Sequence, residues 1–365
     1  FKQKTAYEIM PSLVGSEMCI RDRSCDGCWN NSCSRYATSI YQQRGLIFAI
    51  ILYSFWDNNI HGNTQKTYAT MKKIIFISLI FSLSITADYS NHKDSQMVID
   101  ELVTKHGFEK SYVTAILKNA KKRDEMLQSV ANPAEKTKTW DEYRAIFIKT
   151  KRVEEGKKFI EKNIKTLKRA EKEFGVPREI ITAILGVETN YGSNKGGYRV
   201  LDSLTTLGFD DPRRSNFFRR ELIEFFLLTR ENNLDIKTTK GSYAGAMGYA
   251  QFISSSYRAY AVDFDGDGYV DLFNSVDDAI GSIANYLYVH GWKRNGKIVT
   301  KAYPNNVRKF YKPHESLTRF IPLTFNEDGK DLFFIGDDNF RAIAKYNISD
   351  VYAMAVYYLS EELKK

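Results

Sequence analysis

At 365 residues, 43% apolar and 27% charged, the chain has the make-up of an ordinary globular protein, long enough for one large domain or two smaller ones. A formal net charge of +9 favours a polyanionic neighbour, whether nucleic acid, anionic lipid or an acidic wall polymer. No dense Lys/Arg block or nucleic-acid motif narrows that choice. The four cysteines, Cys19, Cys25, Cys28 and Cys33, all precede Ser34, which excludes disulfides from everything after it.

Residues 1–70 do not read as a domain. They show no sustained hydrophobic period, and the apolar run Leu46 to Trp56 is about half a membrane span. The segment from Thr5 to Arg23 resembles translated adapter sequence, so residues 1–70 are expected to be a non-native upstream extension. At Met71 the pattern changes. Lys72 and Lys73 form a basic start, Ile74 to Leu83 an apolar core, and Thr86-Ala87 a small-residue end. This layout predicts a secretory signal peptide over residues 71–87, cleaved near Ala87. No cysteine follows to carry a lipid, so a periplasmic or secreted protein without stable membrane insertion is expected.

From Gln96 to about Arg169 the spacing predicts helices. Val98, Leu102 and Val103 mark one, Val113, Ile116 and Leu117 another, and Val153, Ile160, Ile164 and Leu167 a third. Trp140, Tyr143 and Arg144 follow a helix start at Thr139; they either pack the core or line a groove. Pro177 then suits the first position of a helix whose inward stripe is Ile181, Ile184 and Leu185. The next member of that stripe is Glu188. A carboxylate among aliphatic neighbours should hold its proton to higher pH, which suits a general acid. The alternative is a solvated glutamate near a helix end. The helix is expected to stop at Asn190-Tyr191-Gly192, leaving Glu188 at the lip of a cleft.

After a loop come Leu201 to Leu207 and a long amphipathic helix from about Arg213 to Asn232. The glycine-rich stretch Lys240 to Gln251 suggests close backbone approach, with Ser242 and Gln251 as hydrogen-bond donors in a groove. It lacks the order of a phosphate loop, so nucleotide binding is not expected, and no organic cofactor is expected. Asp263, Asp265 and Asp267, then Gly268 and the carbonyl of Tyr269, open like an EF-hand calcium loop. Asn274 stands where such a loop has its closing Glu, so Asp278 or Asp277 would close a structural calcium site. A helix with Ile280, Ile283, Ala284 and Leu287 on one face would hold it.

From about Gln96 onward, these stretches resemble the membrane-bound lytic transglycosylase B family. The resemblance rests on GVETNYG at 186–192, TLGFDDPRRSNFFRRELIEFF at 206–226, SYAGAMGYAQF at 242–252, the calcium loop, DAIGSIANYL at 278–287 and HGW at 290–292. It implies an α+β, predominantly helical protein with a lysozyme-like catalytic core (about 171–300), an added helical domain (about 96–170) and a C-terminal part (301–365). It also implies Glu188 as single catalytic acid/base, with Tyr143, Ser242, Gln251, Tyr286, Tyr346 and Asn347 lining a glycan groove. Asp263, Asp265, Asp267, Tyr269 and Asp278 would be the calcium ligands. The partner would be peptidoglycan glycan strands, bound by a monomer, and nucleic acid is not expected. Ile253-Ser254 depart from the family, which has an apolar residue followed by Pro. A water-using muramidase and a non-catalytic peptidoglycan-binding protein are the competing readings.

Overall fold

The computed structural model describes residues 88–303 and 321–365, which lie in one compact unit spanning residues 85–365. The expected upstream extension and signal peptide fall outside the described residues. A single 3-10 turn at Tyr89–Asn91 leads into α1 (Ser95–Thr104), α2 (Lys110–Asn119), α3 (Asp124–Ala131) and the one-turn α4 (Ala134–Thr137). Val98, Leu102, Val113, Ile116 and Leu117 are buried, as the period-3.6 pattern requires. Helix α5 (Trp140–Phe147) starts with a capping box: Thr139 accepts from the Glu142 amide while Glu142 accepts from the Thr139 amide.

The third stripe, expected as one helix, is two: α6 (Thr150–Lys162) and α7 (Ile164–Phe174). Asn163 divides them at φ −110° and ψ 22°, its side-chain amide donating to the Phe159 carbonyl at 2.9 Å. An Asn that bonds a carbonyl four residues back competes with the helix backbone, and the chain turns there. Gly175 closes α7 in the left-handed region, at φ 74°. Pro177 caps the following helix, α8 (Arg178–Thr189), one residue before its first turn. Every residue of α8 from Ile180 to Gly186 is buried, so this helix is apolar all round.

Helix α8 is the axis of the unit. Packed against it are α6, α7, α12 (Val276–Val289) and α14 (Asp350–Lys364). A hairpin of α9 (Val200–Asp210) and α10 (Ser215–Glu231) lies beyond, with the short α11 (Ser254–Tyr260) on α10. Two-residue strands β1 (Tyr198–Arg199) and β2 (Lys240–Gly241) pair antiparallel and pin the ends of that hairpin. The remaining strands, β3 (Val299–Ala302), β4 (Ile321–Glu327) and β5 (Lys330–Gly336), form an antiparallel sheet in the order β3-β5-β4. Asp328 and Gly329, at φ 50° and 74°, make the two-residue turn between β4 and β5. Helix α13 (Asp338–Ala344) then leads to α14. The protein is predominantly helical. No helix among the described residues is long and apolar enough to cross a membrane.

Candidate active site

The last turn of α8 carries Glu188. Directly after it the chain leaves the helix through two left-handed residues, Asn190 (φ 49°) and Tyr191 (φ 59°). That exit is held by side chains: Arg152 donates to the Asn190 oxygen at 3.1 Å, the Asn190 amide donates to Glu155 at 3.1 Å, and Tyr191 donates to the Arg152 carbonyl at 2.9 Å. Gly186 is required beneath it, because a Cβ there would stand 2.7 Å from the Tyr191 hydroxyl. The end of α8 is thus a fixed corner.

Around Glu188 the structure gathers aromatic hydroxyls. Tyr352 of α14 donates to Glu188 Oε1 at 2.6 Å. Burial drives the Glu188 carboxyl upward, the Tyr352 bond opposes it, and the nearby charge of Glu135 adds to it, for a pKa of about 7. Burial holds the hydroxyls of Tyr143, Tyr346 and Tyr352 above their usual range, helped for Tyr143 by Glu135 and for all three by the charge of Glu188. Glu188 is half-buried, so the group is shielded without being sealed.

Of the other expected groove residues, Tyr143 and Tyr286 are buried and Ser242, Gln251, Tyr346 and Asn347 half-buried. Tyr143 and Asn347 meet on Glu135, donating to its Oε1 at 3.3 and 3.2 Å. Tyr286 donates to the Lys345 carbonyl at 2.7 Å and Tyr346 to the Ala250 carbonyl at 2.6 Å, with their rings 4.8 Å apart. Gln251 sits at φ 48°, and its side-chain N–H groups go to the carbonyls of Lys195 and Gly248. What it can still turn outward is an oxygen, so the expected donor is an acceptor. Ser242 Oγ accepts from the amides of Ala244 and Ala246 and keeps its own O–H to give.

Trp140 and Arg144 part company with Tyr143. Trp140 packs its ring on Phe325 and Tyr358, and Arg144 pairs with Glu327, both facing the sheet. Trp140 also lines a cavity of about 310 Å³ with Leu323, Phe325, Asp350 and Val351, to which none of the residues bonded to Glu188 contributes. The downstream carboxylates Asp202, Asp210 and Asp211 do not fold back onto Glu188. Asp202 pairs with Arg199, Asp210 accepts from Tyr89, and Asp211 bonds the Arg213 amide. Sequence reasoning missed Tyr352 and Glu135; the charge of the latter helps hold the Glu188 carboxyl up.

The acidic loop lies at the start of α12. Carboxylate oxygens of Asp263, Asp265 and Asp278 lie within 4.8 Å of one another. Among the described residues no Lys or Arg pairs with any of them, and hard, mutually repelling oxygens of this kind fit a cation such as calcium. Gly266 and Gly268 turn the loop at φ 81° and 94°. Asp278, rather than Asp277, joins the trio, its oxygens aligned by the amides of Phe264, Asp265 and Asp271. The Asp267 carboxylate stands outside it, bonded to the Tyr269 amide, and Tyr269 is exposed. The loop exit is clasped to the glycine-rich stretch: Tyr249 donates to the Leu272 carbonyl at 2.8 Å, and Gly248 lies so close that a Cβ would stand 2.3 Å from the same oxygen.

An apolar central helix ending in a shielded glutamate, a glycine-rich wall and an acidic loop frame the candidate site. Residues 90–361 match the transglycosylase SLT domain, and the chain belongs to that family. The membrane-bound lytic murein transglycosylase B of Escherichia coli K12 is 38% identical over 307 residues, covering 76% of this chain and 85% of that protein. The lytic transglycosylase SltB1 of Pseudomonas aeruginosa superposes with a TM-score of 0.70 at 40% identity, over 76% of this chain and 99% of that one. The E. coli lytic transglycosylase Slt35, solved in complex with calcium, gives 0.68 at 36% identity, over 76% and 95%. This chain therefore shares the fold of those lytic transglycosylases.

Proposed function

We propose that the protein is a peptidoglycan lytic transglycosylase in which Glu188 is the single acid and base. The observation that carries this reading is the half-buried Glu188, with a pKa near 7 and a Tyr352 hydroxyl on Oε1. At neutral pH such a group is divided between its two forms, so it can give a proton in one step and accept one in the next.

Glu188 protonates the glycosidic oxygen between MurNAc and GlcNAc, and the C1–O bond breaks toward the protonated leaving group. The 2-acetamido oxygen of MurNAc supports the anomeric carbon. Glu188, now a carboxylate, takes the proton of the MurNAc 6-hydroxyl, whose oxygen closes on C1. The product carries a 1,6-anhydro end and no water is consumed. Tyr143, Ser242, Gln251, Tyr286, Tyr346 and Asn347 line the groove in this scheme, Ser242 by its O–H and Gln251 by its oxygen. Aromatic faces suit the C–H surfaces of sugar rings.

Asp263, Asp265 and Asp278 would hold a structural calcium ion at the entry to α12, the expected further ligands Asp267 and the Tyr269 carbonyl lying outside that trio. The enzyme works in the periplasm or outside the cell, where its polymeric substrate is. Glu135 favours a second reading, a muramidase, because water-using glycosidases employ two carboxylates. Digestion of purified sacculi separates the readings by product mass, since the anhydro end is one water lighter. Glu188→Gln should abolish release of muropeptides; undiminished release from a folded variant refutes the assignment.

A further inference from the structure

We propose that Glu135 is a positioning residue of this groove, a carboxylate that joins Tyr143 to Asn347 and sets the electrostatic field in which Glu188 works. It rests on the reading of Glu188 as the acid. Glu135 lies in the one-turn α4, behind Pro133, fifty-odd residues ahead of Glu188 in the chain. Its Oε1 receives Tyr143 from α5 and Asn347 from the segment after α13, so one oxygen ties three separate pieces of chain. Its charge reaches Glu188, Tyr143 and Tyr243, which places it on the groove side.

A half-buried carboxylate is normally matched by a cation. Among the described residues no Lys or Arg lies within 4.0 Å of Glu135. Two neighbouring carboxylates without a cation between them share the strain by one keeping its proton. Glu188 has a single donor, and burial together with the Glu135 charge holds its proton to higher pH.

The other groups facing Glu188 do not supply the same field. Tyr143 comes from α5, Tyr346 from the segment after α13 and Tyr352 from α14, all as neutral hydroxyls. From α6, Arg152 is turned to Asn190 and the Phe147 ring; from α12, Tyr286 is bonded to Lys345; from α7, Glu171 pairs with Arg178 at the far end of α8.

The test compares Glu135→Gln, Glu135→Asp and Glu135→Ala in the full chain, measuring kcat and KM against pH on sacculi. In parallel, the carbon-13 carboxyl signal of Glu188, assigned by its loss in Glu188→Gln, is titrated. Glu135→Gln keeps an oxygen for both donors but removes the charge. Its alkaline limb and the Glu188 signal should both move to lower pH by on the order of half a unit, with about a twofold loss of rate at pH 7 and an unchanged KM. Glu135→Asp, which retains the charge, should keep the original limb. Glu135→Ala should shift the limb and also raise KM, because Tyr143 and Asn347 lose their shared anchor. A Glu135→Gln titration coincident with the parent overturns the proposal. So does total loss of product at every pH, which would make Glu135 a reacting group. Should Glu188→Gln itself stay active, the functional reading fails, while the carboxyl titration still decides the role of Glu135.

Discussion

The hydroxyl of Tyr352 works against the burial of Glu188: it favours the carboxylate, while the surroundings favour the acid. Removing it in Tyr352→Phe should therefore raise the Glu188 pKa above about 7 and carry the alkaline limb of the rate profile upward. The carboxyl also loses its one side-chain restraint, and kcat at the optimum should fall about tenfold, the worth of a hydrogen bond to a charged group. A pH–rate series on the variant checks both; a limb moving downward contradicts the assignment of the bond. Glu188 stands out in the sequence as a carboxylate in an aliphatic stripe, but that spacing alone favours a solvated glutamate, and it is the fold that half-buries it. Tyr352 does not stand out. It sits among the apolar and aromatic residues of Tyr352 to Leu359, where a buried tyrosine is indistinguishable from core. Glu135 was equally hidden, since a glutamate in a Lys/Glu-rich region looks like a solvated helix face until the chain folds it across from α8.

At the scale of elements, periodicity located α1, α2, α8, α10 and α12, and the start expected at Thr139 is there, closed by a capping box with Glu142. What it passed over was punctuation. Asn163 splits a stripe that keeps its apolar spacing on both sides, and only the side-chain bond to Phe159 betrays the break. The β4–β5 hairpin had its own signal, Asp328-Gly329 between two apolar runs, which a mainly helical reading leaves unused. The family departure at Ile253-Ser254 also acquires a physical form. Ile253 is extended at φ −69° and ψ 164°, Ser254 opens α11, and the buried Ser254 hydroxyl has no hydrogen-bond partner. A proline fits there: the residue before it is already extended, the first-turn amide needs no partner, and the orphaned hydroxyl disappears. Ser254→Pro should stabilise the protein by about 0.5–1 kcal/mol. Denaturant unfolding measures it, and a lower midpoint would show that the loop after Gln251 needs the serine.

Across the whole molecule the acidic loop and the groove are separate in sequence and joined in space. Calcium binding only the folded protein should stabilise it by about 2.7 kcal/mol at a hundredfold excess over Kd, or roughly 5–10 °C in Tm. Calorimetry should find one site, and Asp263→Ala should lose both the heat and the Tm gain. The clasp between Tyr249 and Leu272 carries this further. A peptide plane that braces the wall against the ion's loop makes the two ligands thermodynamic neighbours: whatever the ion lends to the grip on sugar, sugar must return to the grip on the ion. Titrated in the presence of a saturating glycan oligosaccharide, the same loop should take up calcium more tightly, and a wall-degrading enzyme would then be most resistant to chelation while it holds its polymer.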